Sequence, residues 1–136
     1  MLYVGVNLSS TSFQAVILSH SFALLDSKNF YLKDLPSNSL FLNWIDPFKQ
    51  HQFEPSIFFF DQLQFNSSTS AHHFFSNINH PDKILFIPHR KIPDILCVIK
   101  DWLMTQDIPT FFDQPEYFLA SSFRLFDLNQ DDLPLP

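Results

Sequence analysis

Four polar positions stand where predicted elements end: Asn7 after a short apolar run, Asp61 after a second one, and Asp113 with Glu116 at the start of a late amphipathic segment. Ligands of open α/β sheets gather at the carboxyl ends of strands, and two residues three apart share a helix face. A cluster of carboxylates there is what hard divalent cations require. Mg²⁺ or Mn²⁺ takes oxygen ligands, and a pair of such ions can clamp the attacking and leaving oxygens of a phosphodiester. Asp61, Asp113 and Glu116 are the charged candidates for metal ligation, and Asn7 holds a fourth place with a neutral amide.

Other residues with chemistry are weaker. His89, Arg90, Lys91 and Lys100, with Lys83 upstream, are the candidates for phosphate contact, although a solvated loop and helix face account for them more economically. His72, His73, His80 and His89 lack both Cys support and shared-face spacing for zinc. Ser9, Ser10 and Ser12 with His20 lack the Gly-flanked elbow of a nucleophilic serine and read as a turn. The runs Phe58 to Phe60, Phe74-Phe75 and Phe111-Phe112 offer faces for unpaired bases, with core packing as the default role.

The elements that must position these residues follow from periodicity. Residues 2–8 read as a first strand and Phe13 to Leu18 as a second, joined by the turn Ser9 to Ser12. Ala23 to Leu32 is a third strand or a small hairpin of its own. Helical spacing appears over Leu40 to Phe48, interrupted at Pro47. Pro55 to Phe60, ending at Asp61, has the continuous apolar pattern of a central strand covered on both faces. Asn66 to Ser70 reads as a loop, Ala71 to Ile78 as a two-turn helix and Lys83 to Pro88 as the fifth strand. Pro93 to Met104 and Pro115 to Phe126 have the spacing of good helices. Three strands followed by alternating helices and strands imply an α/β domain: a mixed five-stranded sheet with an antiparallel N-terminal meander and helices on its faces.

Composition bounds the rest. A chain of 136 residues reads as a single domain over residues 1–126, with an acidic tail over residues 127–136. One Gly against 18 Phe leaves the turns to Asn, Asp, Ser and Pro. A net charge of −6 provides no general attraction to nucleic acid or to an anionic membrane. The lone Cys97 allows no intrachain disulfide, and no apolar run approaches the roughly 20 residues of a membrane span. A reducing cytoplasmic setting is the expectation.

Taken in order, Val4-Gly5-Val6-Asn7-Leu8-Ser9-Ser10-Thr11-Ser12, Phe59-Phe60-Asp61-Gln62-Leu63-Gln64-Phe65 and Asp113-Gln114-Pro115-Glu116 before Leu119-Ala120 resemble the RuvC-type Holliday-junction resolvases of the ribonuclease H-like superfamily. The resemblance implies that fold, a Mg²⁺- or Mn²⁺-dependent DNA endonuclease, branched or structured DNA as partner, and Asn7, Asp61, Asp113 and Glu116 as the catalytic set. It departs at Asn7, where that family has Asp, so the chain is expected to be an inactive descendant or variant. The segment from Gly5 to Val16 is also similar to the first hairpin of actin-like ATPases and related pilus-assembly scaffolds. That second likeness implies a non-catalytic domain that binds a protein partner, and a homodimer is compatible with either reading.

Overall fold

The computed structural model describes residues 1–34, 39–51, 53–75, 78, 82–94, 97, 101 and 115–122. Five strands form one mixed sheet in the order β3-β2-β1-β4-β5: β1 (Leu2–Leu8), β2 (Ser12–Leu18), β3 (Leu24–Tyr31), β4 (Ser56–Asp61) and β5 (Lys83–Ile87). The first three are antiparallel neighbours, whereas β4 and β5 run parallel to β1. The expected α/β class and the antiparallel start are both present. Residues 24–31 form one strand paired along β2 rather than a hairpin of their own.

Strand alternation sorts the core into two layers. Val4, Val6, Phe13, Phe58 and Phe60 face helices α1 (Ser39–Ile45), α2 (Gln62–Asn66) and α3 (Thr69–Phe74), which contribute Phe41, Ile45, Phe65, Ala71 and Phe74. Tyr3, Val16, Leu18, Ile57, Phe59 and Ile87 face α4 (Pro115–Ser121) through Tyr117, Phe118, Leu119 and Ala120. Every residue of β4 is buried, as a strand with helices on both faces requires.

Several local boundaries differ from the sequence pattern, each for an identifiable reason. The segment read as a loop from Asn66 to Ser70 contains the end of α2 and the start of α3. Asp61 caps α2 by accepting from the Leu63 and Gln64 amides, and Ser68 caps α3 through the Ala71 amide, so two short helices replace one loop. The stretch from Leu40 to Phe48 becomes α1 followed by a single 3₁₀ turn over Asp46–Phe48, with Pro47 in its first turn. Of the helix expected from Pro93 to Met104, residues 93, 94, 97 and 101 are described and helical. Residues 123–126, the acidic tail over residues 127–136, and Phe111-Phe112 lie outside the described residues.

Turn chemistry also differs. The turn between β2 and β3 places Phe22 at φ 66°, a conformation usually left to Gly or Asn. The ring is buried and stacks on Tyr3 with 4.7 Å between centroids, which offsets the backbone cost. At the start of β1, the Met1 ammonium lies 2.7 Å from the buried Glu54 carboxylate. Burial alone would raise that carboxyl, but the ammonium and the Gln50 amide hold it below its ordinary value. No helix among the described residues is long and apolar enough to cross a membrane.

Candidate functional site

The site is built where β1 and β4 end side by side. The last paired residues, Val6 and Phe60, are followed by Asn7 and Asp61, so parallel register sets these two next to each other. Asn7 is closed at both ends of its amide. Its Nδ2 donates to Gln14 Oε1 at 3.0 Å, and its Oδ1 accepts from Gln64 Nε2 at 3.2 Å. Gln64 Oε1 in turn accepts from the Leu8 backbone amide at 3.3 Å. Three amide side chains from β1, β2 and α2 thus form one polar ladder.

Asp61 is 5% exposed, and both of its oxygens have partners. Oδ1 accepts from the backbone amides of Leu63 at 2.9 Å and Gln64 at 3.4 Å, the arrangement of a helix N-cap. Oδ2 lies 2.7 Å from His89 Nδ1. A carboxylate only accepts, so His89 donates its Nδ1 proton and keeps Nε2 toward solvent, consistent with a side chain that is 60% exposed.

His89 belongs to a 3₁₀ turn, His89–Lys91, directly after β5, and this turn presents Arg90 and Lys91 to solvent beside Asp61. Lys83 opens β5 at its other end, about 15 Å away by strand rise, so it does not join them. Lys100 lies outside the described residues. Only part of the expected basic group therefore shares an edge with the Asn7–Asp61 pair.

Glu116 occupies a different place. It is the second residue of α4, 6% exposed, and it lines a crevice of about 260 Å³ with Gln14, Ala15, Ser27, Lys28 and Asn29. These residues come from β2 and β3, on the side of β1 opposite Asp61. Gln14, which holds Asn7, also forms part of the crevice wall, so it borders both places. Asp113 lies outside the described residues. Among the described residues, no three His, Cys, Asp or Glu side chains are grouped to hold a metal ion.

The described donor set fits a divalent metal poorly. At the strand ends it offers one carboxylate, already committed to a helix cap and an imidazole, and a neutral amide bonded at both ends to glutamines. Mg²⁺ favours charged oxygen donors and near-ideal octahedral geometry.

The weaker candidates resolve into structure. Ser9 Oγ accepts from the Ser12 amide and also meets Ser12 Oγ at 2.9 Å, which is turn formation. His72 packs on the Phe65 ring, His89 is taken by Asp61, and His80 lies outside the described residues. Phe58, Phe59, Phe60, Phe74 and Phe75 are all buried, so their faces pack the core.

Gln14 and Gln64 are the site residues that the sequence reading passed over. A signal for Gln64 was present. The spacing Asp61-Gln62-Leu63-Gln64 matches a capping box, an N-cap residue with Gln three positions on. Here the glutamine turns across to β1 instead of back to its own helix start.

Burial holds the Glu116 carboxyl above its ordinary value, opposed by a hydrogen bond from its own backbone amide. The folded state therefore keeps its proton to higher pH than the unfolded chain does, and stability falls as pH rises from the ordinary carboxylate range through the raised one. Glu116→Gln is expected to stabilise the domain by about 1 kcal/mol at pH 7 and by nothing at about pH 3.5, where both states are protonated. Urea denaturation at the two pH values checks this; a destabilised variant at pH 7 would show that the charge is held favourably.

No protein-family model matches the chain, and no curated protein matches its sequence.

Proposed function

We propose that this chain is a ribonuclease H-like domain that has given up metal-dependent cleavage of DNA and serves as a binding module for a protein partner. The antiparallel meander joined through β1 to two parallel strands, with helices on both faces, supports the fold part of that reading. The observation that carries the functional part is the closed amide ladder at Asn7. Where the resolvase-like pattern needs a carboxylate free to bind Mg²⁺ or Mn²⁺, this chain has an amide satisfied by Gln14 and Gln64. The neighbouring Asp61 supports it, since both oxygens serve a cap and an imidazole.

The charge favours protein over nucleic acid as partner. With fourteen acidic residues against eight basic ones, the domain lacks the surplus of phosphate-neutralising side chains on which DNA affinity depends.

Calorimetric titration with Mn²⁺ and Mg²⁺ tests the lineage and the loss together. The chain itself should bind neither ion at millimolar concentration. Asn7→Asp sets a second carboxylate beside Asp61 and should gain Mn²⁺ binding, and adding Asp61→Ala should abolish that gain. Saturable Mg²⁺ binding by the unaltered chain, together with nicking of a four-way DNA junction, would restore the nuclease reading.

A further inference from the structure

The Glu116 crevice contains a feature that the amide ladder does not use. Its carboxyl is more than nine-tenths buried, and no hydrogen bond or ion pair reaches it from another residue among the described residues. A buried carboxylate without a counter-charge is costly. The surrounding wall is polar, made by Gln14, Ser27 and Asn29, and the volume of about 260 Å³ is ample for a planar cation.

The crevice reaches β3, which is an edge strand. Register places Ser27 opposite Val16, Asn29 opposite Gln14 and Tyr31 opposite Ser12, so these three lie on the face that α4 covers over β1 and β2; beyond the bulge beside Leu18 that face passes to Leu24. That row, Ser27, Asn29 and Tyr31, is exposed along its whole length, with Tyr31 at 55%. An edge strand with an open row of side chains can take up an extended segment by backbone pairing, and its pockets then select the incoming side chains. Here the row is polar at Ser27 and Asn29 and ends on the ring of Tyr31, with the anionic crevice beside its polar part. Lys28 does not fill it, because its ammonium lies over the Phe30 ring, 5.4 Å from the centroid, on the opposite face of the sheet.

We propose that the crevice receives an arginine side chain from an extended segment of a protein partner laid along β3, with Glu116 as its counter-ion and Tyr31 flanking it. This rests on the reading of the domain as a protein-binding module and names the chemistry of the partner. Arginine suits the site better than lysine, since the guanidinium carries five donors in a plane and can meet a carboxylate and the side-chain oxygens around it together.

The probe is Nα-acetyl-arginine methylamide, followed through the Glu116 side-chain carbon and the Gln14, Ser27 and Asn29 amides by NMR. Its lysine and citrulline counterparts and Mg²⁺ serve as comparisons. Saturable shifts confined to these groups are expected, with affinity about tenfold weaker in Glu116→Gln and no response to neutral citrulline, as loss of a charge-assisted bidentate pair implies. Equal binding by Glu116→Gln, an equal response to citrulline, or shifts produced by Mg²⁺ and not by the arginine compound would each overturn the proposal. Self-pairing of β3 would appear as a dimer in sedimentation that the arginine compound fails to dissociate, and it too counts against an arginine partner. Failure here leaves the metal titration of Asn7→Asp untouched, so the two readings stand or fall separately.

Discussion

Gly5→Ala should cost on the order of 4 kcal/mol or more. A Cβ at position 5 would overlap the Glu116 carbonyl oxygen and lie 2.8 Å from the Ala120 nitrogen. Both are backbone atoms of α4, so no side-chain rotation relieves the overlap; the helix must move off the sheet. Doing so would open the layer in which Tyr117, Leu119 and Ala120 pack on Tyr3 and Phe59. Urea denaturation should show the loss, and hydrogen exchange should show α4 amides losing protection before those of β1. A variant within about 1 kcal/mol of the parent would mean that α4 does not lie directly on Gly5. The chain has a single glycine, and it serves this close approach instead of a turn.

Phe41→Ala is expected to cost about 3–5 kcal/mol and to lower Tm by roughly 10–20 °C. Phe41 is fully buried on α1, and six aromatic rings surround it: Phe13, Phe30, Trp44, Phe58, Phe74 and Phe75, with centroids between 5.3 and 6.3 Å. Most meet it edge to face or tilted, the arrangements that aromatic quadrupoles favour. Rings around a deleted ring collapse poorly, because flat rigid groups cannot rotate to refill the space, so the cavity term should be large. Thermal unfolding followed by Trp44 fluorescence measures the effect, and Phe41→Leu should recover more than half of it. A loss below about 1 kcal/mol would show that this cluster repacks freely.

The strands were legible because their patterns follow directly from their surroundings. Residues 2–8 and 56–61 are apolar on both faces and lie at the sheet centre, and residues 83–87 follow β4 at its edge. Phe22 was not legible, since a large ring in a left-handed turn contradicts local preference and is held there by its stack on Tyr3. Neither was the partnership of Gln14 and Gln64 with Asn7, because single polar residues within strands and helices ordinarily face water.

The acidic set illustrates the limit most clearly. Asn7 and Asp61 meet as their strand-end positions suggested, but Glu116 could be placed only once the seat of α4 was known. Gly5 fixes that seat, and with it a carboxyl that opens toward β2 and β3. A list of acids in the right order cannot contain that information, because it depends on which helical face a glycine on another strand admits.

The place of β1 in the sheet also governs how the fold assembles. On one side it pairs with β2 across a short turn, so the meander forms from local contacts. On the other side Leu2 pairs with Ser56, more than fifty residues along the chain. Closing a loop of that length carries an entropy cost before any contact repays it, which makes the docking of β4 slower than formation of the meander. Until then β1 presents a bare, strongly apolar edge on which a second nascent chain can pair, so yield on refolding is governed by the race between β4 and a neighbour.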